Sequence, residues 1–195
     1  MAANGRPEQV RALSDAGSAL ARGELLQRAD AWDAGIPLAR YLRRCELKTA
    51  RLFEAACRLG ALEADGVPEQ LGAFGRRIGL AFQLLDDVLD VSGPPERTGK
   101  PRGTDLLDGT VTLPLILARE RDSELRELDV RAIDGPEAAA EVCDRIADTG
   151  ALEESRRRAL EVVAEAKTAL PHSRLGDGQR TALELVADSV VDRYS

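Results

Sequence analysis

Residues 79–90 read GLAFQLLDDVLD, and winding them as a helix decides the fold. At about 3.6 residues per turn, Gly79, Gln83, Asp86 and Asp90 fall on one narrow line, with Asp87 just beside it. Leu71, Ile78, Phe82, Leu85 and Leu89 cover one flank, and Leu80, Leu84 and Val91 cover the other. A helix that is apolar nearly all round is a buried one. Three carboxylates therefore share the one polar stripe of a core-like helix. A solvated acidic face would be flanked by other polar residues, whereas leucines flank these on both sides. Ionised aspartates in such a place need a cation or a metal. Asp86 and Asp90 lie one turn apart on the same face. Two oxygen donors there can share a hard divalent ion, and Mg2+ suits a site that also holds phosphate. Gly79, one turn below Gln83, leaves room for something to pack close to that line.

Working outward, the spacing predicts a helix from about Glu8 to Ala29, with an apolar stripe of Val10, Leu13, Ala16, Leu20 and Ala21. Asp33–Pro37 breaks it. A second helix is expected over roughly Leu38–Leu62, with a stripe of Leu38, Leu42, Cys45, Leu52, Ala56 and Leu59, Thr49 in its middle and Lys48 at its edge. A Lys at a stripe edge ordinarily reaches for water, and a helical Thr ordinarily bonds the carbonyl one turn back. The Asp65–Pro68 turn leads into the helix of the opening stretch. Residues 92–109 then lose the pattern and collect Gly93, Pro94, Pro95, Gly99, Pro101, Gly103 and Gly109 beside Arg97, Lys100 and Arg102. A loop of this length in a compact chain is more often functional than filler. Its flexible backbone beside cations, just after a carboxylate cluster, is a plausible phosphate site. It is not a GxxxxGK[ST] loop, which removes the key part of an ATPase reading. Further helices are expected from Thr112–Pro114 to about Asp122, and over about 137–148, 151–170 and 179–193. The expectation is an all-α chain forming a single domain over residues 1–195.

Composition bounds the function. The 195 residues are 44% hydrophobic and 31% charged, with a net charge of −7, and that balance argues against a nucleic-acid partner. Three cysteines (Cys45, Cys57, Cys143) without a CxxC pair read as reduced core residues of a cytoplasmic protein. With His172 as the single histidine, neither a zinc site nor a His-dependent triad is expected. The first residues, MAANGRPEQV, lack the apolar run of a signal peptide, and no transmembrane segment is expected.

Two stretches, GLAFQLLDDVLDVSG and TGKPRGTDLLDGTVTLPLILA, resemble the second aspartate-rich region of the trans-isoprenyl diphosphate synthases, the polyprenyl synthetase family. GELLQ and YLRRCELKTARLFEAACRLGA upstream resemble it too, and GALEESRRRALEVVAEAKTAL continues the likeness. The resemblance implies a helical bundle of the isoprenoid synthase type, commonly a homodimer. It implies condensation of an allylic diphosphate with isopentenyl diphosphate. By resemblance, Asp86 and Asp90 bind Mg2+ bridging the allylic diphosphate, and Asp87 supports them. Lys48 and Lys100 contact the same diphosphate. Thr49 and Gln83 turn oxygens toward the developing carbocation.

Family members also carry an earlier DDxxD motif and an N-terminal Gly-Lys-Arg-rich segment. The one DDxxD in this sequence is at Asp86. The expectation is therefore a partial bundle with its N-terminal helices missing, inactive or poorly active alone, and a homodimer or a heteromer with a chain supplying the first motif. A non-catalytic subunit of a heteromeric synthase and a terpene cyclase are the alternatives.

Overall fold

A computed structural model describes residues 6–93, 101–171 and 174–192. Among these residues every regular element is helical, as the resemblance implies. The α-helices are α1 (Pro7–Ala29), α2 (Leu38–Cys45), α3 (Arg51–Glu63), α4 (Pro68–Ser92), α5 (Thr104–Leu107), α6 (Leu113–Arg121), α7 (Ser123–Glu127), α8 (Pro136–Asp148), α9 (Ala151–Thr168) and α10 (Asp177–Asp192). A π turn, Glu46–Ala50, joins α2 to α3, and a 3-10 turn, Val130–Ala132, precedes α8.

The chain divides into two compact units. The first comprises Met1–Glu24, Cys45–Gln83 and Leu160–Ser195; the second comprises Leu25–Arg44 and Leu84–Ala159. Helices α1, α2, α4 and α9 contribute residues to both.

The core of the first unit is built largely from small side chains: Ala16 and Ala19 of α1, Ala50 and Ala55 around the π turn, Ala81 of α4, and Ala166 and Ala187. Small residues let helix backbones approach closely, and Phe74 and Ile78 fill the space between. The expected α1 stripe is corrected here. Gln9, Ala16, Ala19 and Gly23 are the buried positions, while Val10 and Leu13 are 38% and 37% exposed. The small-residue face won because it admits a closer backbone contact than the leucine face.

The stripe expected for the second helix is corrected as well. Cys45 is buried, but Leu52 is 37% exposed and Ala56 is exposed, and Ala55 and Ala61 turn inward instead. The expected single helix is also interrupted by the π turn at Glu46–Ala50, and beyond it small residues take the core positions, as they do on α1.

The second unit is organised around α6, whose residues Leu113–Ala118 are all buried. Thr112 is its N-cap and Pro114 sits in its first turn, as expected of a helix start there. Leu84, Leu85, Val88 and Val91 of α4, Leu125, Cys143 and Ile146 are buried in the same unit. Burial pushes the Cys143 thiol up to about 12, so it is a packing residue and no nucleophile. Asp30 is also buried here. It accepts from Arg40 Nε at 2.5 Å and lies 3.9 Å from Arg44 NH1.

Gly109 ends the run that follows α5. It has φ of +70°, and its carbonyl accepts the Trp32 backbone N–H at 2.8 Å. A Cβ there would stand 2.3 Å from Trp32 Cδ2. Gly109→Ala combines a left-handed conformation with overpacking, and we expect it to cost about 2–4 kcal/mol. Urea unfolding followed by the fluorescence of the single tryptophan measures it; a loss below about 0.5 kcal/mol contradicts the packing described.

Candidate functional site

Lys48 and Thr49 both lie in the π turn. Such turns occur mostly as single interruptions of α-helices, frequently at functional sites. Two glycines hold this one. On α1, a Cβ at Gly23 would stand 2.7 Å from Lys48 N and 2.9 Å from Lys48 Cα. On α4, a Cβ at Gly79 would stand 2.8 Å from both Ala50 Cα and Phe53 Cβ. The room that Gly79 leaves is thus taken up by the end of the π turn and the start of α3. The Phe53 and Phe82 rings, with centroids 5.5 Å apart, extend that contact.

One turn beyond Gly79, Gln83 receives the π turn's next contribution. Thr49 Oγ1 donates to Gln83 Oε1 at 2.6 Å. The structure therefore brings together two residues that the sequence paired only by resemblance. With its proton committed to Gln83, the Thr49 oxygen keeps its lone pairs for another group. Lys48 Nζ lies 3.1 Å from Glu24 Oε1. Lys48, Thr49 and Gln83 are each half-buried and belong to the first unit.

In the second unit, the three aspartates of α4 have separate environments. Asp86 is half-buried, whereas Asp87 and Asp90 are each 3% exposed. Asp87 Oδ2 accepts from the Tyr41 hydroxyl at 2.5 Å. Tyr41 is wholly buried, and the Arg44 guanidinium carbon lies 5.4 Å from the centre of its ring. Arg44 in turn donates to the Val111 carbonyl. Asp87 is thereby committed inward. Asp90 is bound at both ends: its Oδ2 accepts the Asp105 N–H at 3.1 Å, and its carbonyl accepts the Gly103 N–H at 2.9 Å. The chain after residue 100 is also tied to α4 through Arg102 Nε, which donates to the Val91 carbonyl at 2.8 Å. Lys100, the remaining site residue named from sequence, lies outside the described residues.

Sequence reasoning missed Tyr41, Glu24 and Gly23. Tyr41 stands seven residues before Lys48, and Gly23 and Glu24 are the first two residues of GELLQ, so all three lay inside matched segments. None has a chemistry that advertises itself without its partner in view.

Asp86 and Asp90 supply hard oxygen donors one turn apart on α4. Among the described residues no group of three or more His, Cys, Asp and Glu side chains is arranged to hold a metal. Two carboxylates match the way Mg2+ is usually held, by one or two side chains with phosphate and water oxygens completing its shell. Chemically, the second unit offers anionic oxygens for a divalent ion, and the first offers an ammonium for an anion and a Thr–Gln pair of oriented dipoles.

The Polyprenyl synthetase family profile matches residues 1–148. Heptaprenyl diphosphate synthase component 2 of Geobacillus stearothermophilus is 42% identical over 163 residues, which is 80% of this chain and 50% of that protein. Octaprenyl diphosphate synthase of Escherichia coli (strain K12) is 35% identical over 177 residues, covering 87% of this chain and 55% of that protein. A crystal structure of polyprenyl synthase from Caulobacter crescentus CB15, complexed with calcium and isoprenyl diphosphate, superimposes with a TM-score of 0.88 at 34% identity, over 97% of this chain and 60% of that one. The chain spans about half the length of the curated relatives it matches. With a helical fold, an aspartate-rich α4 and a profile match over 148 of its 195 residues, this chain belongs to the Polyprenyl synthetase family.

Proposed function

We propose that this chain carries the diphosphate-binding side of a trans-prenyltransferase site that joins an allylic diphosphate to isopentenyl diphosphate. The observation that supports it most is the division of labour on α4. Asp87 Oδ2 holds the Tyr41 hydroxyl, and this reading gives Mg2+ to Asp86, the half-buried one of the three, together with Asp90, whose Oδ2 also accepts the Asp105 N–H. Bound there, Mg2+ would offset the negative charge that gathers on the departing diphosphate. Lys48 would donate to the same diphosphate, as would Lys100. Thr49 and Gln83 would turn their oxygen dipoles toward the allylic carbon as it becomes positive. Preorganised dipoles of this kind stabilise charge without having to reorient during the reaction, and the 2.6 Å bond between them supplies the preorganisation. The soft alkene of isopentenyl diphosphate then attacks that carbon, and a proton is lost.

A second reading has its own support. A relative at 42% identity is named as a component of its synthase, which favours a chain that works with a second polypeptide. Val10 and Leu13, one turn apart and exposed on α1, offer that polypeptide an apolar contact. On either reading the chain acts as a homodimer or a heteromer, and sedimentation as a clean monomer at micromolar concentration contradicts both.

Two measurements test the site. Calorimetry with a non-hydrolysable farnesyl diphosphate analogue is expected to give binding heat only with Mg2+ present. Asp86→Asn and Asp90→Asn should weaken that binding by about tenfold or more, equivalent to about 1.4 kcal/mol. Asp87→Asn should stay within about threefold, since Asn still offers Tyr41 an acceptor. Absence of heat from folded protein, with or without Mg2+, sinks the proposal. Separately, Tyr41→Phe removes the donor to a buried carboxylate and should destabilise the fold by about 1–3 kcal/mol in urea.

A further inference from the structure

Glu24 and Lys48 form a pair that the chemistry of ionisation does not need. Their charged groups are 3.1 Å apart, with side chains 48% and 33% exposed. What distinguishes this pair from an ordinary surface contact is how its two ends are held. Gly23, the residue before Glu24, presses its backbone against the backbone of Lys48, since a Cβ there would overlap Lys48 N and Cα at 2.7 and 2.9 Å. No side chain separates the two segments. Glu24 therefore stands at the root of Lys48 by the course of α1 itself. On its other side the π turn meets Gly79 at the same close range. With the Lys48 backbone against Gly23 and the end of the π turn against Gly79, Lys48 changes partner by rotating its own side chain.

We infer that Glu24 is a positioning residue that competes with diphosphate for the Lys48 ammonium. The inference rests on the reading of Lys48 as a diphosphate ligand. With the site empty, Glu24 holds the ammonium in place. An incoming diphosphate brings several oxygens and a larger charge and takes it over. Both side chains are open to water, so the exchange costs little desolvation, and a pair this exposed is weak enough to break. When diphosphate departs, Glu24 recovers the ammonium. The carboxylate thus lowers the affinity for diphosphate and shortens its stay. That is useful in a site whose leaving group is itself the tightest anion present, because product release limits the turnover of many enzymes.

The experiment is calorimetry of inorganic diphosphate with Mg2+ on the full chain, for wild type, Glu24→Gln, Glu24→Ala, Lys48→Ala and the Glu24→Gln/Lys48→Ala double variant. Circular dichroism confirms that each is folded. Removing the Glu24 charge is expected to tighten binding by about fivefold, in keeping with one screened charge at short range. Lys48→Ala is expected to weaken binding by about tenfold and to abolish most of the Glu24 effect in the double variant. A merely structural role for Glu24 does not tighten binding and does not depend on Lys48. If Lys48→Ala weakens binding while both Glu24 variants leave it unchanged or weaken it, the inference is overturned and the reading of Lys48 stands. If Lys48→Ala leaves binding unchanged, or if the wild type binds no diphosphate, the reading of Lys48 fails and the inference fails with it.

Discussion

The contact on which the site depends is one between backbones. Gly23 on α1 and Gly79 on α4 both close on the π turn of Glu46–Ala50, at distances that would bring any Cβ into overlap. A π turn is a poor element by itself, with weaker hydrogen-bond geometry than the α-helix it interrupts. It persists where its neighbours hold it. Here they hold its backbone at Lys48 and Ala50, so helix packing fixes where the side chains of the candidate site residues Lys48 and Thr49 begin. Gln83 follows one turn after Gly79. The glycine that sets the helix separation and the residue that receives the Thr49 proton are thus fixed on one face of α4.

The same economy appears in the aspartates. Three carboxylates within five residues repel one another, and a structure that left all three facing one point would be destabilised whenever no cation was there. The fold avoids this by spending the middle one elsewhere. Asp87 accepts the Tyr41 hydroxyl inside the second unit, and Tyr41 lies against Arg44, which is near Asp30. Asp90 is steadied by the Asp105 amide. Only Asp86 retains substantial exposure among the three. The motif reads as DDxxD, but its three aspartates are not equivalent, and the proposed metal pair is the first and the last.

Much of this was legible in the sequence. The helix of the opening stretch, the burial of Ile78, Leu84, Leu85 and Val91 on its flanks, the α1, α8 and α9 boundaries and the Thr112–Pro114 helix start all follow from period, caps and breakers, because those signals are local. What could not be read was a change of helical geometry. The period places Leu52 and Ala56 in the core, whereas Ala55 and Ala61 are the buried residues. Nothing in Glu-Leu-Lys-Thr-Ala announces a π turn, and the glycines that pack against it, Gly23 and Gly79, are distant in sequence. On α1 the leucine face looked like the core, but close packing favoured the alanines and Gly23. Among the candidate site residues, the aspartates stood out by their chemistry and position, whereas Lys48, Thr49 and Gln83 were nameable through the resemblance. Tyr41 and Glu24 were not, since a tyrosine or a glutamate becomes functional only through what it touches.

The net charge of −7 has a physical counterpart in this arrangement. A protein meant to hold a polyanion over a long surface shows an excess of cations. This chain does the opposite, and several of its cations are paired within the fold: Lys48 with Glu24, Arg40 with Asp30, Arg102 with Asp144 and Arg145 with Asp122. An anion approaching such a chain meets little long-range attraction and must be recognised at short range. On the proposed reading, the positive charge it needs would arrive with it, as a divalent ion shared with Asp86 and Asp90, or be released locally, as the Lys48 ammonium would be on leaving Glu24. Both routes make binding conditional on a ligand dense enough in charge to recruit a metal and displace a carboxylate. A diphosphate meets that condition, whereas a single carboxylate or an isolated phosphate ester brings too little charge to do both.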